Sequence, residues 1–191
     1  MGEKITKQKQ GHDRGWKLAK QAARNCNQSF EAKIKQAWKK EITISANFLN
    51  ESLKNTANYL GCYAENELND LRITSFPCYL IVNIDSSDMV GSHWIALGLF
   101  RENIEIFDSL GFDMFNWTRI PCNLFNFLHR QSRNKRVIIS PRIQNDESSM
   151  CGFYCIYYII SRAFNTFTSL TNYFDLNDLT LNDSKLIQFF K

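Results

Sequence analysis

Apolar residues are scarce at the start of the chain and crowd its middle. Residues 1–12 are almost wholly polar, a composition that buries too little surface to order itself. Trp16, Leu18, Ala19, Ala22 and Ala23 recur at helical spacing, as do Ile34, Ala37 and Trp38 within a predicted helix over 30–40. Phe48, Leu49 and Leu53 place one apolar stripe on a third predicted helix, over 45–57. The pattern changes at Tyr59. The segment Tyr59-Leu-Gly-Cys-Tyr reads as a turn carrying aromatics. Pro77–Asn83 is a continuous apolar run, as expected of a strand buried on both faces. Ser92–Phe100 and Asn103–Asp108 predict two more strands, joined through a short polar link as a hairpin. A helix is predicted over 117–132, and a short strand over Val137–Ser140 that stops at Pro141. Residues 151–163 are apolar nearly all round, so that helix belongs at the centre. Asn177–Phe190 reads as a closing amphipathic helix. Strands in the middle and helices at both ends make an α+β order, a central mixed sheet flanked by helices.

Charge divides the chain in a way that hydropathy does not. Residues 1–40 carry eleven Lys/Arg against three Asp/Glu, a net +8, within a chain whose total is +4. We therefore expect a basic, partly helical arm over 1–57 and a mildly acidic body over 58–191. The arm suits phosphate contacts with DNA, and equally a solvated tail. The 191 residues fit one domain. The longest apolar run, Cys151–Ile160, is about half a membrane span, and no hydrophobic leader opens the sequence. We expect no membrane partner, a monomer and an intracellular location. The six cysteines follow neither a disulfide framework nor a zinc-ligand spacing. They read as reduced thiols, and nothing calls for a cofactor or metal.

Four residues carry the candidate chemistry. Cys151 follows the polar loop Asn145–Met150 and opens the apolar helix, with Ser148 or Ser149 expected as its cap. Exposed N–H groups at a helix start favour negative charge, which suits a thiolate nucleophile. Gly152 beside it would leave room for a substrate. Cys155, one turn deeper, reads as a plain core cysteine. His93 interrupts an apolar strand between Ser92 and Trp94; it is either a general base for a thiol or a strand-end residue facing water. Trp94 would pack beside the imidazole. Asp108 ends the next strand and is either the carboxylate that orients His93 or a turn residue before Ser109-Leu-Gly111. Glu105 is a less apt candidate. Gln144, seven residues before Cys151, has an amide able to donate to an oxyanion, and is otherwise an ordinary loop residue. The order His, Asp, Gln, Cys-Gly-aromatic is far more selective than any member alone.

In these segments the chain resembles the adenovirus endopeptidase (adenain) and the similar proteases of Polinton/Maverick-type DNA elements. The resemblance rests on Tyr59-Leu-Gly-Cys-Tyr, Ile81-Val-Asn, Gly91-Ser-His-Trp, Phe107-Asp-Ser-Leu-Gly, and Gln144 through Cys151-Gly-Phe-Tyr-Cys, and covers roughly 59–163. It implies a papain-like fold with permuted chain order, His93 as base, Asp108 as its orienter, Cys151 as nucleophile and Gln144 in the oxyanion hole. It further implies cleavage of viral or transposon structural precursors after small residues such as Gly, in the virion or host nucleus. The third triad member is Glu in adenain and Asp in the related ubiquitin-like-protein proteases, so a SUMO-type isopeptidase stands as the alternative. A nucleic-acid-binding protein with an inactive peptidase core is a third reading. No cysteine matches the one through which adenain receives its activating peptide; Cys122 does not align.

Overall fold

The protein is described by a computed structural model covering residues 44–89, 91–112, 120–165 and 172–190. One five-stranded sheet runs in the order β1-β2-β3-β4-β5. Strand β1 (Tyr59–Ala64) is parallel to β2 (Cys78–Asn83). Strands β2, β3 (Trp94–Leu99) and β4 (Asn103–Phe107) are antiparallel neighbours, and β5 (Arg136–Ile139) is parallel to β4. The helices described are α1 (Ala46–Leu53), α2 (Cys122–Ser132), α3 (Cys151–Ala163) and α4 (Asn182–Phe189). The expected α+β sheet flanked by helices is the observed architecture, with Cys151 the first residue of its buried helix.

The central strands β2 to β4 are buried on both faces, which is why they read as unbroken apolar runs. Tyr79, Ile81, Trp94, Ala96 and Phe107 project towards α3, α1 and α4. Their alternates Cys78, Leu80, Val82, Ile95, Leu97, Ile104 and Ile106 face Leu124 and Phe127 of α2. Every residue of α3 from Cys151 to Ser161 is buried. A polar cluster joins α3 to the sheet. Glu105 Oε2 accepts the Tyr158 hydroxyl at 2.8 Å and pairs with Arg162 at 2.5 Å. A Cβ at Gly98 would fall on that same hydroxyl.

Several expectations are corrected. The segment at Tyr59 is an edge strand, not a turn; Gly61, at φ 136°, absorbs a break in its pairing register with β2. The last helix begins at Asn182 rather than Asn177. Its first side chain is buried, donating to the carbonyls of Ile143 and Asp175, and a short 3₁₀ turn, Leu179–Leu181, leads into it. Ile44, Leu49 and Leu53, which precede the expected division at 57/58, belong to the core around α3. The helices read at 16–23 and 30–40, and the +8 arm apart from its end, lie outside the described residues.

Candidate active site

The sheet topology brings His93 and Asp108 together. Strands β3 and β4 are antiparallel, pairing Ala96 with Phe107, so the residue before β3 and the residue after β4 share one end of the sheet. His93 Nε2 lies 2.7 Å from Asp108 Oδ1. The main chain fixes both partners. His93 accepts the Ile84 N–H at its carbonyl, and the Ser92 N–H donates to Asp85 Oδ2. The Ser140 hydroxyl accepts the Asp108 N–H and donates to the Asp108 carbonyl, both at 2.9 Å. Asp108 Oδ1 also accepts the Leu110 N–H at 2.9 Å. A carboxylate held in this way presents one defined oxygen to the imidazole.

Helix α3 delivers the thiol from the other side. Cys155 donates to the Trp94 carbonyl at 3.4 Å, tying the helix to the start of β3. One turn earlier on the same helix, Cys151 is near enough for its thiol to act on the pKa of the His93 imidazole. Asp108 holds Nε2, which leaves the other ring nitrogen of His93 available to a thiol. Burial pushes the imidazole's pKa down, but the hydrogen bonds and negative charges of Asp108 and Cys151 outweigh it and raise it to about 10. Such an imidazole stays protonated at neutral pH. Cys151 is 9% exposed.

Gln144 is buried in the loop before α3. Its Nε2 donates to the Ser148 carbonyl at 2.6 Å, and its Oε1 accepts the Ser109 hydroxyl at 2.5 Å. A primary amide has two N–H donors; the second makes no hydrogen bond among the described residues. Ser109, fully buried, was not singled out from the sequence. Its only sequence signal is its place next to Asp108.

Two details depart from expectation. Neither Ser148 nor Ser149 caps α3: the N-cap is Met150, without a side-chain cap, and the Ser148 hydroxyl accepts the Met150 N–H at 3.3 Å. The helix-start N–H groups are therefore not consumed by a side chain. Gly152 does not open space for a ligand. A Cβ there would stand 3.3 Å from Ile44 and Leu49, so the missing side chain lets α1 approach α3. Glu105, the weaker acidic candidate, is engaged with Tyr158 and Arg162 away from the imidazole.

A cleft of about 530 Å³ is lined by Trp94, the neighbour of His93, with Ile44, Asn50, Glu67 and Asn83, and by none of the four candidate residues themselves. Trp94 itself is buried, its indole N–H donating to the Ile44 carbonyl at 3.1 Å. An apolar cavity of about 140 Å³ between α2 and β4–β5 lies across the sheet and holds none of these residues.

No protein-family description and no curated protein matches the chain. Among solved structures, the chain is similar to the ASFV pS273R protease. One crystal structure has 18% identity and a TM-score of 0.49, covering 74% of this chain and 62% of that one. Its selenomethionine form has 20% identity and a TM-score of 0.34, covering 60% and 43%. The chain thus spans less than two thirds of that protease's length.

Proposed function

We propose that the chain is a cysteine peptidase in which Cys151 is the nucleophile, His93 the general base, Asp108 its orienter and Gln144 a donor to the oxyanion. The observation that carries this reading is the 2.7 Å contact between His93 and the Asp108 carboxylate, with Cys151 opening a buried helix near enough to act on the imidazole's pKa. Proton transfer from Cys151 to His93 gives a thiolate–imidazolium pair. The thiolate attacks the substrate carbonyl carbon and the carbonyl oxygen becomes the oxyanion, stabilised by the second N–H of Gln144 and the main-chain N–H of Cys151. As the tetrahedral adduct collapses, the C–N bond breaks and His93 gives its proton to the departing amine, leaving a thioester. Water, deprotonated by His93, then attacks the thioester and releases the acid and the thiol.

By the resemblance to adenain, the proposed substrates are structural precursors of a virus or transposon cut after Gly. The enzyme would work inside the infected or host cell, in the virion or nucleus, with the basic arm as a DNA contact.

The test is alkylation by iodoacetamide across a pH series, with peptide mapping, on wild type and His93→Ala. The proposal expects selective modification of Cys151 below neutral pH that His93→Ala abolishes. Modification of all accessible thiols together, only near the ordinary thiol range of about 8.5, would refute it.

A further inference from the structure

Gln144 can donate to an oxyanion only if its amide is turned one way. A side-chain amide rotated by 180° presents oxygen where nitrogen was, and an oxygen facing an oxyanion repels it. Two contacts bear on the choice. The Ser148 carbonyl can only accept, so it selects the amide NH₂ at 2.6 Å. The Ser109 hydroxyl lies 2.5 Å from the opposite atom, Oε1, and donates to it. Ser109 also accepts the main-chain N–H groups of Ile143 and Gln144 at its own carbonyl, both at 2.8 Å. One fully buried residue thus fixes both the backbone and the amide face of Gln144. Without the hydroxyl, the buried Oε1 loses its donor, and a buried acceptor without one is destabilised. That cost favours any rotation that finds the oxygen another donor, and each such rotation removes the N–H from the oxyanion.

We infer that Ser109 is a positioning residue for the oxyanion hole, locking the Gln144 amide with its nitrogen towards the reacting carbonyl. The inference rests on the peptidase reading above. Residues 108 and 109 then serve opposite halves of one site: Asp108 orients the base, and Ser109 orients the oxyanion donor.

The experiment compares wild type, Ser109→Ala, Gln144→Ala and the double variant, using a fluorogenic Gly-Gly peptide, iodoacetamide and ¹⁵N NMR of the Gln144 side-chain amide. Ser109→Ala is expected to lower kcat by roughly 10–100-fold, less than the roughly 10²–10³-fold of losing a donor outright, with KM within about twofold. Alkylation of Cys151, which forms no oxyanion, is expected to keep its wild-type rate and pH profile. The double variant should match Gln144→Ala, because Ser109 acts only through that amide. Ser109→Cys, which keeps the volume and a weak donor, should fall between. In the NMR spectrum, wild type should show two distinct, exchange-protected N–H signals that lose protection in Ser109→Ala. Full kcat in Ser109→Ala, losses that multiply in the double variant, or an unchanged Gln144 amide signal would each overturn the inference. Wild type that fails to alkylate selectively at Cys151 would instead refute the peptidase reading, and the amide signal would still decide whether Ser109 holds Gln144.

Discussion

Cys155 hangs from the carbonyl of Trp94, the residue after His93, at 3.4 Å. That bond anchors the second turn of α3 and sets how far the first turn reaches. Burial pushes the Cys155 thiol well above the usual range, and the nearby charge of Cys151 pushes it the same way, so Cys155 stays protonated and inert. Cys155→Ser is expected to keep most of the turnover at a stability cost of about 1 kcal/mol. Cys151→Ser is expected to abolish turnover and alkylation with the fold intact. Circular dichroism with peptide hydrolysis checks both. An active Cys151→Ser paired with a dead Cys155→Ser would reverse the assignment.

The His93–Asp108 bond predicts a defined loss for Asp108→Asn. An amide oxygen can still accept the N–H of Leu110, so the loop should hold, but the charge that steadies the imidazolium is gone. We expect kcat to fall roughly 10²–10⁴-fold with the melting temperature little changed. Steady-state kinetics beside differential scanning fluorimetry read the two effects separately. A variant with full kcat would remove Asp108 from the site.

His93 also predicts how stability follows pH. Its folded-state pKa, about 10, lies above the ordinary 6.5, so folding favours the protonated ring. The contribution is complete below about pH 6.5 and is lost as pH rises through about 10. Urea unfolding of wild type and His93→Ala should therefore show the largest gap near pH 6 and a shrinking one towards pH 10. A gap that widened with pH would contradict the protonated pair.

Glu105 tests the sheet–helix junction away from the chemistry. Removing it in Glu105→Ala leaves the Tyr158 hydroxyl and the Arg162 guanidinium without their shared acceptor. The expected cost is about 3 kcal/mol, at the low end for breaking a buried pair, because the Arg162 side chain is 25% exposed and partly served by water. Glu105→Gln should lose less, since an amide oxygen can still accept from Tyr158. Equal stability of Glu105→Ala and wild type would show that the cluster is incidental.

The sequence made the central elements legible where one physical pattern dominates. Helix α3 spans Cys151–Ala163, the range its apolar character predicted, and β2 to β4 follow their continuous runs. The site residues could be suspected because polar groups interrupt those runs at His93 and follow them at Asp108. What stayed hidden depends on partners distant in sequence. Strand β1 was masked by Gly61, whose positive φ reads as a turn until its pairing with β2 is seen. The place of α1 in the core depends on Gly152, about a hundred residues away. Ser109 looked like turn chemistry because nothing local reports that its hydroxyl meets Gln144, 35 residues on.

The fit between Gly98 and Tyr158 has a consequence for how the sequence can change. The tyrosine hydroxyl fills the volume that any side chain at position 98 would need. The two positions are therefore epistatic in a fixed order. Tyr158→Phe gives up the bond to Glu105 but removes the nearest obstacle, so that a following Gly98→Ala needs only a small shift of Phe100, whereas the same two changes taken the other way pass through an overpacked intermediate. Drift through this pair has a direction, set by one oxygen atom.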